Sequence, residues 1–510
     1  MSVAAVGKRV AARVVGSSRP MYRRISIPWT VLFKISEGVA LFGLLAMQNS
    51  YLEVETLAKL GVVFSTYSLI GTFLYGPIGI YISVNFSRLF HRNSWVATIG
   101  LNFVFSVLCG LSSAVALTAV ASYVGFSFSL SESAAVLIFV VTKFLFMGQT
   151  NTGVLLFTHR QTGAISLAAS LAGVVIAYGV AGTSTMTLMP WLIALTASYI
   201  FGYVLLVFSQ IKTSLLPRVA PPSYAPPAAP LYGWHVLALI AVPAFRWAQI
   251  EFPRIAAART LSTGTAGAYF ATSQLLLVAF MFSEIVLAMY YGPILSYLYG
   301  KSRITALRAF SLDVAFAYGS LATAASLIVV AIWPVIASVL EYIAPHLATL
   351  SPFVIFAILM GEVARQTSAF ILSSFVHIRR YQSAVLIGFL PVVVAFGLTS
   401  LTQSDPRPEI VAGAVMVGNI GTAAVVLLTA RPGRIVGTIV PLSTLWLVPL
   451  TGAVIAGAIA LVGQTPILLG LGALSLVSLL VVGAVSGRRA VGVGMLVTRR
   501  AAIAPVSTGT

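Results

Sequence analysis

The chain has 510 residues, of which 59% are hydrophobic and only 8% are charged, whereas an average soluble chain has about 25% charged residues. A water-soluble fold could not bury this much apolar surface. The apolar runs are long enough to cross a bilayer as helices, which takes about 20 residues. We attribute the net charge of +19 to basic cytoplasmic loops and expect no nucleic-acid partner. The composition therefore predicts an all-α polytopic membrane protein.

Fourteen apolar segments are predicted to be transmembrane helices. They lie at about 29–48, 61–84, 95–122, 134–157, 164–182, 189–210, 233–251, 267–292, 312–336, 351–376, 384–402, 410–429, 441–463 and 467–486. The loops between them are short, so no soluble domain is expected on either side. The single cysteine, Cys109, lies inside an apolar run, which excludes an intramolecular disulfide.

The distribution of basic residues predicts the orientation. With the N-terminus in the cytoplasm, the inside segments hold 22 of the 30 Lys and Arg residues. The outside loops hold four, namely Lys59, Arg254, Arg259 and Arg407. Because cytoplasmic loops collect basic residues, both termini are predicted to be cytoplasmic, in a multi-pass protein of a bacterial inner (plasma) membrane.

A proline-rich stretch divides the chain. Residues 217–230 contain six prolines and cannot continue a helix. The predicted organisation is, in chain order, a basic cytoplasmic tail (1–28), an N-lobe of six spans (29–211), a proline-rich cytoplasmic linker (212–232), a C-lobe of six spans (233–430), two further spans (431–486) and a basic cytoplasmic tail (487–510).

The two lobes share a weak repeat. The second span ends in Tyr75-Gly76-Pro77-Ile78 and the eighth in Tyr291-Gly292-Pro293-Ile294. The fourth and tenth spans end near His159-Arg160 and His377-Arg379-Arg380. Six spans per repeat give both lobes the same orientation, as in transporters that bind substrate between their halves. Gly76, Pro77, Gly292 and Pro293 are hinge candidates, the alternative being ordinary helix ends.

Catalytic motifs are absent from the sequence. There is no phosphate-binding GxxxxGK[ST] loop, no HExxH, no CxxC and no GxSxG. The five histidines are scattered, and no cofactor or metal site is predicted. We therefore expect a protein that is not an enzyme.

Charged side chains inside spans are costly in hydrocarbon and are candidates for function. The predicted substrate-binding residues of a central cavity are Lys34, Glu37, Lys143, Arg246, Glu284, Glu362 and Arg365. Two pairs have an alternative explanation, because i, i+3 spacing allows Lys34 to pair with Glu37 and Glu362 with Arg365. Lys143 lies near the middle of its span and is the leading candidate.

These features resemble the multidrug/oligosaccharidyl-lipid/polysaccharide (MOP) exporter superfamily, and in particular its polysaccharide-biosynthesis flippases. The resemblance covers about residues 25–430 and rests on the two six-span lobes, the basic loops, the Gly-Pro pairs and the basic exits. It implies alternating access around a cationic cavity that holds a lipid pyrophosphate, here through Lys34, Lys143, Arg246 and Arg365. The last two spans resemble the extra helices of the peptidoglycan-precursor branch. The Lys34–Glu37 pair, where that branch has arginines, favours another surface glycan.

The expected function is therefore translocation of a polyprenyl-pyrophosphate-linked oligosaccharide. The expected partners are this substrate, membrane lipids and a glycan polymerase or glycosyltransferases. Two alternatives stay open: a cation-coupled multidrug antiporter, in which Glu37, Glu284 and Glu362 bind protons or sodium, and a membrane-embedded glycan polymerase or ligase. A scaffold without transport activity is disfavoured by the buried charges.

Overall fold

The computed structural model describes residues 27–75, 95–155, 159–181, 187–214, 247, 249–300, 304–343, 349–377, 407–430 and 447–503. These residues form fourteen α-helices, and a π-helical turn at Gly71–Tyr75 continues the second. The helices are α1 (Ile27–Tyr51), α2 (Val54–Ile70), α3 (Trp95–Val124), α4 (Leu130–Leu155), α5 (His159–Ala181), α6 (Leu188–Ser214), α7 (Phe252–Thr260), α8 (Thr263–Gly300), α9 (Ile304–Ala331), α10 (Trp333–Ile343), α11 (Pro352–His377), α12 (Pro408–Ala430), α13 (Leu447–Val462) and α14 (Pro466–Ile503).

The predicted all-helical membrane fold is confirmed for the described residues. Nine of their helices are long and apolar enough to cross a membrane. The predicted span 384–402, the N-terminal tail and the linker 217–230 lie outside the described residues, as does most of 233–251.

Proline and glycine mark several helix ends. Pro352, Pro408 and Pro466 open α11, α12 and α14, where the missing N–H of proline costs no helical hydrogen bond. Gly125 and Gly463 follow the ends of α3 and α13 with φ values of +88° and +90°. Glycine adopts this left-handed conformation without strain, which makes it the usual residue after a helix.

Several helix boundaries differ from the sequence prediction. Helix α2 begins at Val54 and not near residue 61, and Lys59 in its second turn pairs with Glu132 of α4 at 3.8 Å. Helix α8 continues to Gly300 and α9 begins at Ile304, whereas the predicted spans end at 292 and begin at 312. Helix α14 continues to Ile503, so the basic segment after residue 486 extends the last helix.

Each lobe has its own apolar core. The N-lobe core includes Phe139, Phe144 and Trp191, all fully buried. The C-lobe core includes Phe310 and Ile355. The N-lobe cluster also takes in residues of α7 and α8, so the two lobes are in direct apolar contact.

The repeat-related tyrosines occupy equivalent places. Tyr75 packs on Phe144 of α4, with ring centroids 5.0 Å apart. Tyr291 packs on Phe370 of α11 at 5.6 Å, and its hydroxyl donates to the Phe370 carbonyl. In both lobes, therefore, the tyrosine of the Tyr-Gly-Pro motif lies against a phenylalanine of a later span. This is the fourth span for Tyr75 and the tenth span for Tyr291.

The two Gly-Pro hinge candidates differ in what the structure describes. Gly76 and Pro77 lie outside the described residues, directly after the π-helical turn that ends at Tyr75. Gly292 and Pro293 lie inside α8, which continues to Gly300. The second motif is therefore not a helix end. It lies in a helix interior, where proline removes one backbone hydrogen bond.

Helices α13 and α14 pack on the C-lobe through α9. A Cβ added at Gly452 of α13 would lie 2.7 Å from Leu479 of α14, and one at Gly483 of α14 would lie 2.8 Å from Leu321 of α9. The buried Asp313 of α9 also interacts electrostatically with Arg489 of α14.

Candidate functional site

The two lobes are sealed against each other at one end of the bundle. Gly267, in the first turn of α8, lies so close to the Val54 carbonyl oxygen that no Cβ would fit there. A Cβ added at Gly61 would lie 2.8 Å from the Phe270 ring. We call this contact between α2 and α8, defined by Val54, Gly61, Gly267 and Phe270, the lobe seam.

Polar contacts flank the lobe seam. The Gln48 side-chain amide of α1 donates to the Gln274 side-chain carbonyl of α8 at 3.1 Å. Arg259 of α7 donates to the Tyr123 backbone carbonyl at the end of α3 at 2.7 Å, and its guanidinium lies over the Tyr123 ring. Each of these contacts joins the N-lobe to the C-lobe.

The backbone of the seventh span stays helical through Glu251. Residues 247, 249 and 250 are helical, and α7 begins at Phe252 with Pro253 in its first turn. Glu251 has right-handed helical φ and ψ of −98° and −31°, and its N–H donates to the Trp247 carbonyl at 2.8 Å. The sequence predicted that this helix ends at residue 251, whereas α7 continues for nine residues to Thr260. The place of Arg254 in an outer loop stays a prediction. At 1.5 Å per residue, Glu251 lies about 14 Å along the helix from Thr260.

Glu251 joins the two lobes through a buried hydrogen-bonded cluster. Its carboxylate accepts from the Ser65 hydroxyl of α2 at 3.0 Å and from the Arg254 guanidinium at 2.8 Å. The Trp247 indole N–H donates to the Ser65 carbonyl at 3.1 Å. Arg254 also donates to the Ser273 hydroxyl of α8 at 3.3 Å. Because Ser65 belongs to the N-lobe and Arg254 to the C-lobe, the contacts of Glu251 depend on the relative position of the two lobes.

Lys143 is surrounded by aromatic rings. Its ammonium lies 4.2 Å from the Tyr67 ring centroid, 5.1 Å from Phe64, 5.5 Å from Phe139 and 5.8 Å from Tyr199. Ring faces attract a cation within about 6 Å. This arrangement stabilises a charged lysine in an apolar lobe, where the isolated charge would be costly.

Electrostatic interactions link Lys143 to two acidic residues. Glu251 acts on Lys143, and Glu37 of α1 acts on Tyr199, whose ring centroid lies 5.8 Å from the Lys143 ammonium. Lys143 lies about 20 Å along α4 from its first residue, and Ser65 about 16 Å along α2, so both lie well inside helices that are long enough to span a hydrocarbon layer of about 30 Å. We call Glu37, Lys143, Tyr199 and Glu251 the central charged site.

Glu362 and Arg365 form a separate buried pair within α11. The Arg365 guanidinium donates to both Glu362 carboxylate oxygens, at 2.8 and 2.6 Å, and the Gln366 amide donates to Glu362 at 2.7 Å. Arg365 is only 1% exposed. The local pairing that the i, i+3 spacing allows is therefore present in α11.

Three other predicted site residues are described less fully. Arg246 lies outside the described residues, next to Trp247. Lys34 and Glu284 belong to α1 and α8, but their side chains lie outside the described part of the structure. Among the described residues, no group of three or more His, Cys, Asp or Glu side chains is placed to hold a metal ion.

Sequence reasoning missed the importance of Glu251, Arg254 and Ser65. One signal was available: Glu251 and Arg254 have the same Glu-x-x-Arg spacing as Glu362 and Arg365. Ser65 carried no signal, because a single serine in an apolar span is ordinary and its partner lies 186 residues away.

Comparisons with solved structures identify the fold. A multidrug resistance MATE family transporter of the MOP superfamily, in its inward-facing conformation, matches with a TM-score of 0.56 over 82% of this chain and 96% of that chain, at 14% identity. The outward-facing conformation of such a transporter matches at 0.51, over 82% and 96%, at 13% identity. A mutant of the Vibrio cholerae MATE transporter VcmN also matches at 0.51, over 82% and 97%, at 13% identity.

Sequence comparisons add no further match. No family model matches the chain, and no curated protein matches it. The chain therefore has the fold of MOP superfamily transporters, and the substrate must be argued from its own residues.

Proposed function

We propose that this protein is a transporter of the bacterial inner membrane that moves a polyprenyl-pyrophosphate-linked oligosaccharide by alternating access. The shared fold supports the transport class, and the cluster that joins the lobes through Ser65 and Glu251 carries the proposal. A lobe contact centred on charged groups at mid-membrane is what a carrier needs in order to couple lobe movement to an ionic substrate.

Lys143 is the proposed contact for the pyrophosphate. The aromatic rings around its ammonium provide attraction without a permanent covalent or bidentate partner. A lysine ammonium has three donors and can exchange ring contacts for phosphate oxygens. Arg246, one residue before Trp247, is the second proposed contact.

The sealed end faces the periplasm in this proposal. The lobe seam lies at the end of the bundle that holds the turn between α1 and α2 and the turn between α7 and α8. The excess of basic residues in alternate loops supports this orientation, with those turns outside and both termini in the cytoplasm. A glycan partner enzyme, either a glycosyltransferase or a polymerase, then supplies or uses the carried substrate.

Neutralising the proposed contacts tests the function. Lys143→Met and Arg246→Met should each abolish surface-glycan export in cells, with membrane abundance unchanged, and Lys143→Arg should retain part of the activity. Lys59→Met is the matched control, because Lys59 lies near the outer end of α2 and pairs with Glu132. Normal export by both Met variants would remove the proposed cavity role.

A cation-coupled multidrug antiporter is the second candidate. The observation that favours it is that the central charged site contains two acidic residues, Glu37 and Glu251, because carboxylates inside a span can carry protons or attract cationic drugs. Cells expressing the protein would then gain drug resistance with pH-coupled efflux. Drug resistance that requires Glu37, without any effect on glycan export, would favour this candidate over the flippase.

A further inference from the structure

We infer that four aromatic rings of the N-lobe form a binding site for a primary ammonium ion, that Lys143 of the same chain is its present ligand, and that occupancy of this site stabilises the closed lobe seam. We call these rings the aromatic box; they belong to Phe64, Tyr67, Phe139 and Tyr199. An anionic substrate would loosen the seam by drawing Lys143 out of the box, and this consequence alone rests on the proposed function.

The aromatic box has the chemistry of an ammonium receptor. Its rings come from α2, α4 and α6, and their centroids lie 4.2 to 5.8 Å from the Lys143 ammonium. Among the described residues, no hydrogen bond or ion pair joins this ammonium to another side chain. Proteins recognise free ammonium ligands with clusters of aromatic rings of this kind. The box should therefore bind an alkylammonium ion once the lysine side chain is removed.

The rings of the box are held in place by other contacts. Tyr67, the ring nearest to the ammonium, donates its hydroxyl hydrogen to the Met147 Sδ atom at 2.7 Å and packs on Phe144 with ring centroids 4.8 Å apart. Phe64 and Phe139 pack edge to face at 5.9 Å. A site whose walls are already ordered loses little conformational entropy when it binds a ligand. Tyr67 is thus the main positioning residue for the ammonium.

One wall of the box also belongs to the contact between the lobes. Phe64 of α2 stacks on Phe270 of α8, with ring centroids 6.3 Å apart and planes inclined by 26°. Phe270 also packs against Gly61 and lies beneath the Arg254 guanidinium at 5.4 Å. Separation of the lobes removes Phe270 from Phe64, so this wall loses its support from the C-lobe. Because coupling between two equilibria is reciprocal, an ammonium ion that holds Phe64 in the box favours the closed seam.

Two measurements on the full-length chain in detergent test the inference. The melting temperature reports binding to the box, and cysteine cross-linking reports closure of the seam. In a Cys109→Ala background, Gln48→Cys and Gln274→Cys place two thiols where the glutamine amides are hydrogen bonded. A protease site within residues 217–230 then allows the halves to be separated on a gel unless a short bifunctional thiol reagent has joined them. The probe is n-propylammonium chloride, which matches the part of the lysine side chain that Lys143→Ala removes.

We expect Lys143→Ala to lower both the melting temperature and the cross-linking yield. Propylammonium should restore both in a saturable manner, with a several-fold rise in yield, because it binds the folded, closed chain. The same concentrations of n-propanol or sodium chloride should restore neither, and the parent chain, whose box Lys143 occupies, should not respond. Adding Tyr67→Leu should abolish the response. The control Phe353→Leu, which removes a ring that packs on Phe356 in the C-lobe, should leave it intact.

The variant Phe270→Leu separates binding from coupling. Added to Lys143→Ala, it should leave the propylammonium-dependent rise in melting temperature and remove the rise in cross-linking yield. The reason is that the box remains in the N-lobe while its contact with the C-lobe is lost.

Three results overturn the ammonium site: no response to propylammonium, an equal response to propanol, or a response that survives Tyr67→Leu. A higher melting temperature without a higher yield, in a chain that retains Phe270, overturns the link to the seam. If size-exclusion chromatography shows that Lys143→Ala does not fold, a thermal double-mutant cycle replaces the probe. Tyr67→Leu should then lower the melting temperature less in a Lys143→Met chain than in the parent, and equal losses overturn the inference.

The proposed function fails separately, because none of these measurements involves a glycan. A chain that binds propylammonium in the box and closes its seam in response, yet moves no lipid-linked oligosaccharide, refutes glycan transport alone.

Discussion

The Ser65 hydroxyl and the Glu251 carboxylate are joined by a buried 3.0 Å hydrogen bond between the two lobes. Trp247 reinforces the contact by donating to the Ser65 carbonyl. Because the donor and the acceptor belong to different lobes, a movement that separates the lobes at this point must break the bond.

Removing the serine hydroxyl should weaken the closed state. A hydrogen bond to a charged group contributes about 1.5–3 kcal/mol, so Ser65→Ala should shift the equilibrium between the closed and open seam by roughly ten-fold or more. The cross-linking yield in the Gln48→Cys, Gln274→Cys background measures this shift. Ser478→Ala is the control, because Ser478 bonds only to a carbonyl of its own helix. Equal yields for the two variants would show that the bond does not hold the seam.

A methyl group at Gly267 should prevent the seam from closing. An added Cβ would collide with the Val54 carbonyl, which is backbone and cannot move aside. In the same double-cysteine background, Gly267→Ala should therefore abolish cross-linking, and it should abolish glycan transport while the chain still folds and reaches the membrane. Gly264→Ala, in the same helix turn but with open space around it, should behave as the parent. Full transport by Gly267→Ala would contradict the role of the seam.

The Glu362–Arg365 pair should contribute to the stability of the folded protein. Removing one partner of a buried pair costs about 3–5 kcal/mol, so Arg365→Met should sharply lower the melting temperature of the purified protein. The double variant Glu362→Gln with Arg365→Met should recover much of that loss. If the double variant regains stability and also transport, the pair is structural. If it is stable but transports nothing, Arg365 binds substrate as the sequence predicted.

Helix α14 should depend on close packing against α9. A branched side chain at Gly483 would press on Leu321, and overpacking of this kind typically costs about 1–3 kcal/mol. Gly483→Val should lower the unfolding temperature in detergent. Gly492→Val lies in open space on the same helix and should leave it unchanged. An unchanged temperature in both would show that α14 is only loosely attached.

The fold was largely predictable because each span needs a long apolar run and each run is visible in the sequence. Helix α2 shows where that rule fails. Its first turns carry Glu55 and Lys59 and were assigned to a loop, whereas Lys59 lies within the helix and pairs with Glu132 of α4. Because Glu132 lies far from Lys59 in the sequence, the sequence alone does not show that the two charges pair, and Lys59 looks like a loop residue.

The site was only partly predictable for a related reason. Lys143 was identified because a lysine in mid-span is rare, whereas the rings of Tyr67 and Tyr199 beside its ammonium come from other helices and could not be predicted. Glu251 was assigned to the outer surface because its span was taken to end there. A glutamate followed by a proline looks like a helix end in sequence, and the helix α7 that follows is short and carries two arginines.

Movement of a fluorescent polyprenyl-pyrophosphate oligosaccharide across reconstituted liposomes tests the central claim most directly. The protein should carry Gln48→Cys and Gln274→Cys, joined by a reducible cross-linker. Alternating access predicts rapid movement before cross-linking, none while the seam is locked, and recovery after reduction. Movement that continues at the same rate through the locked seam, or no movement in any state, would contradict the account.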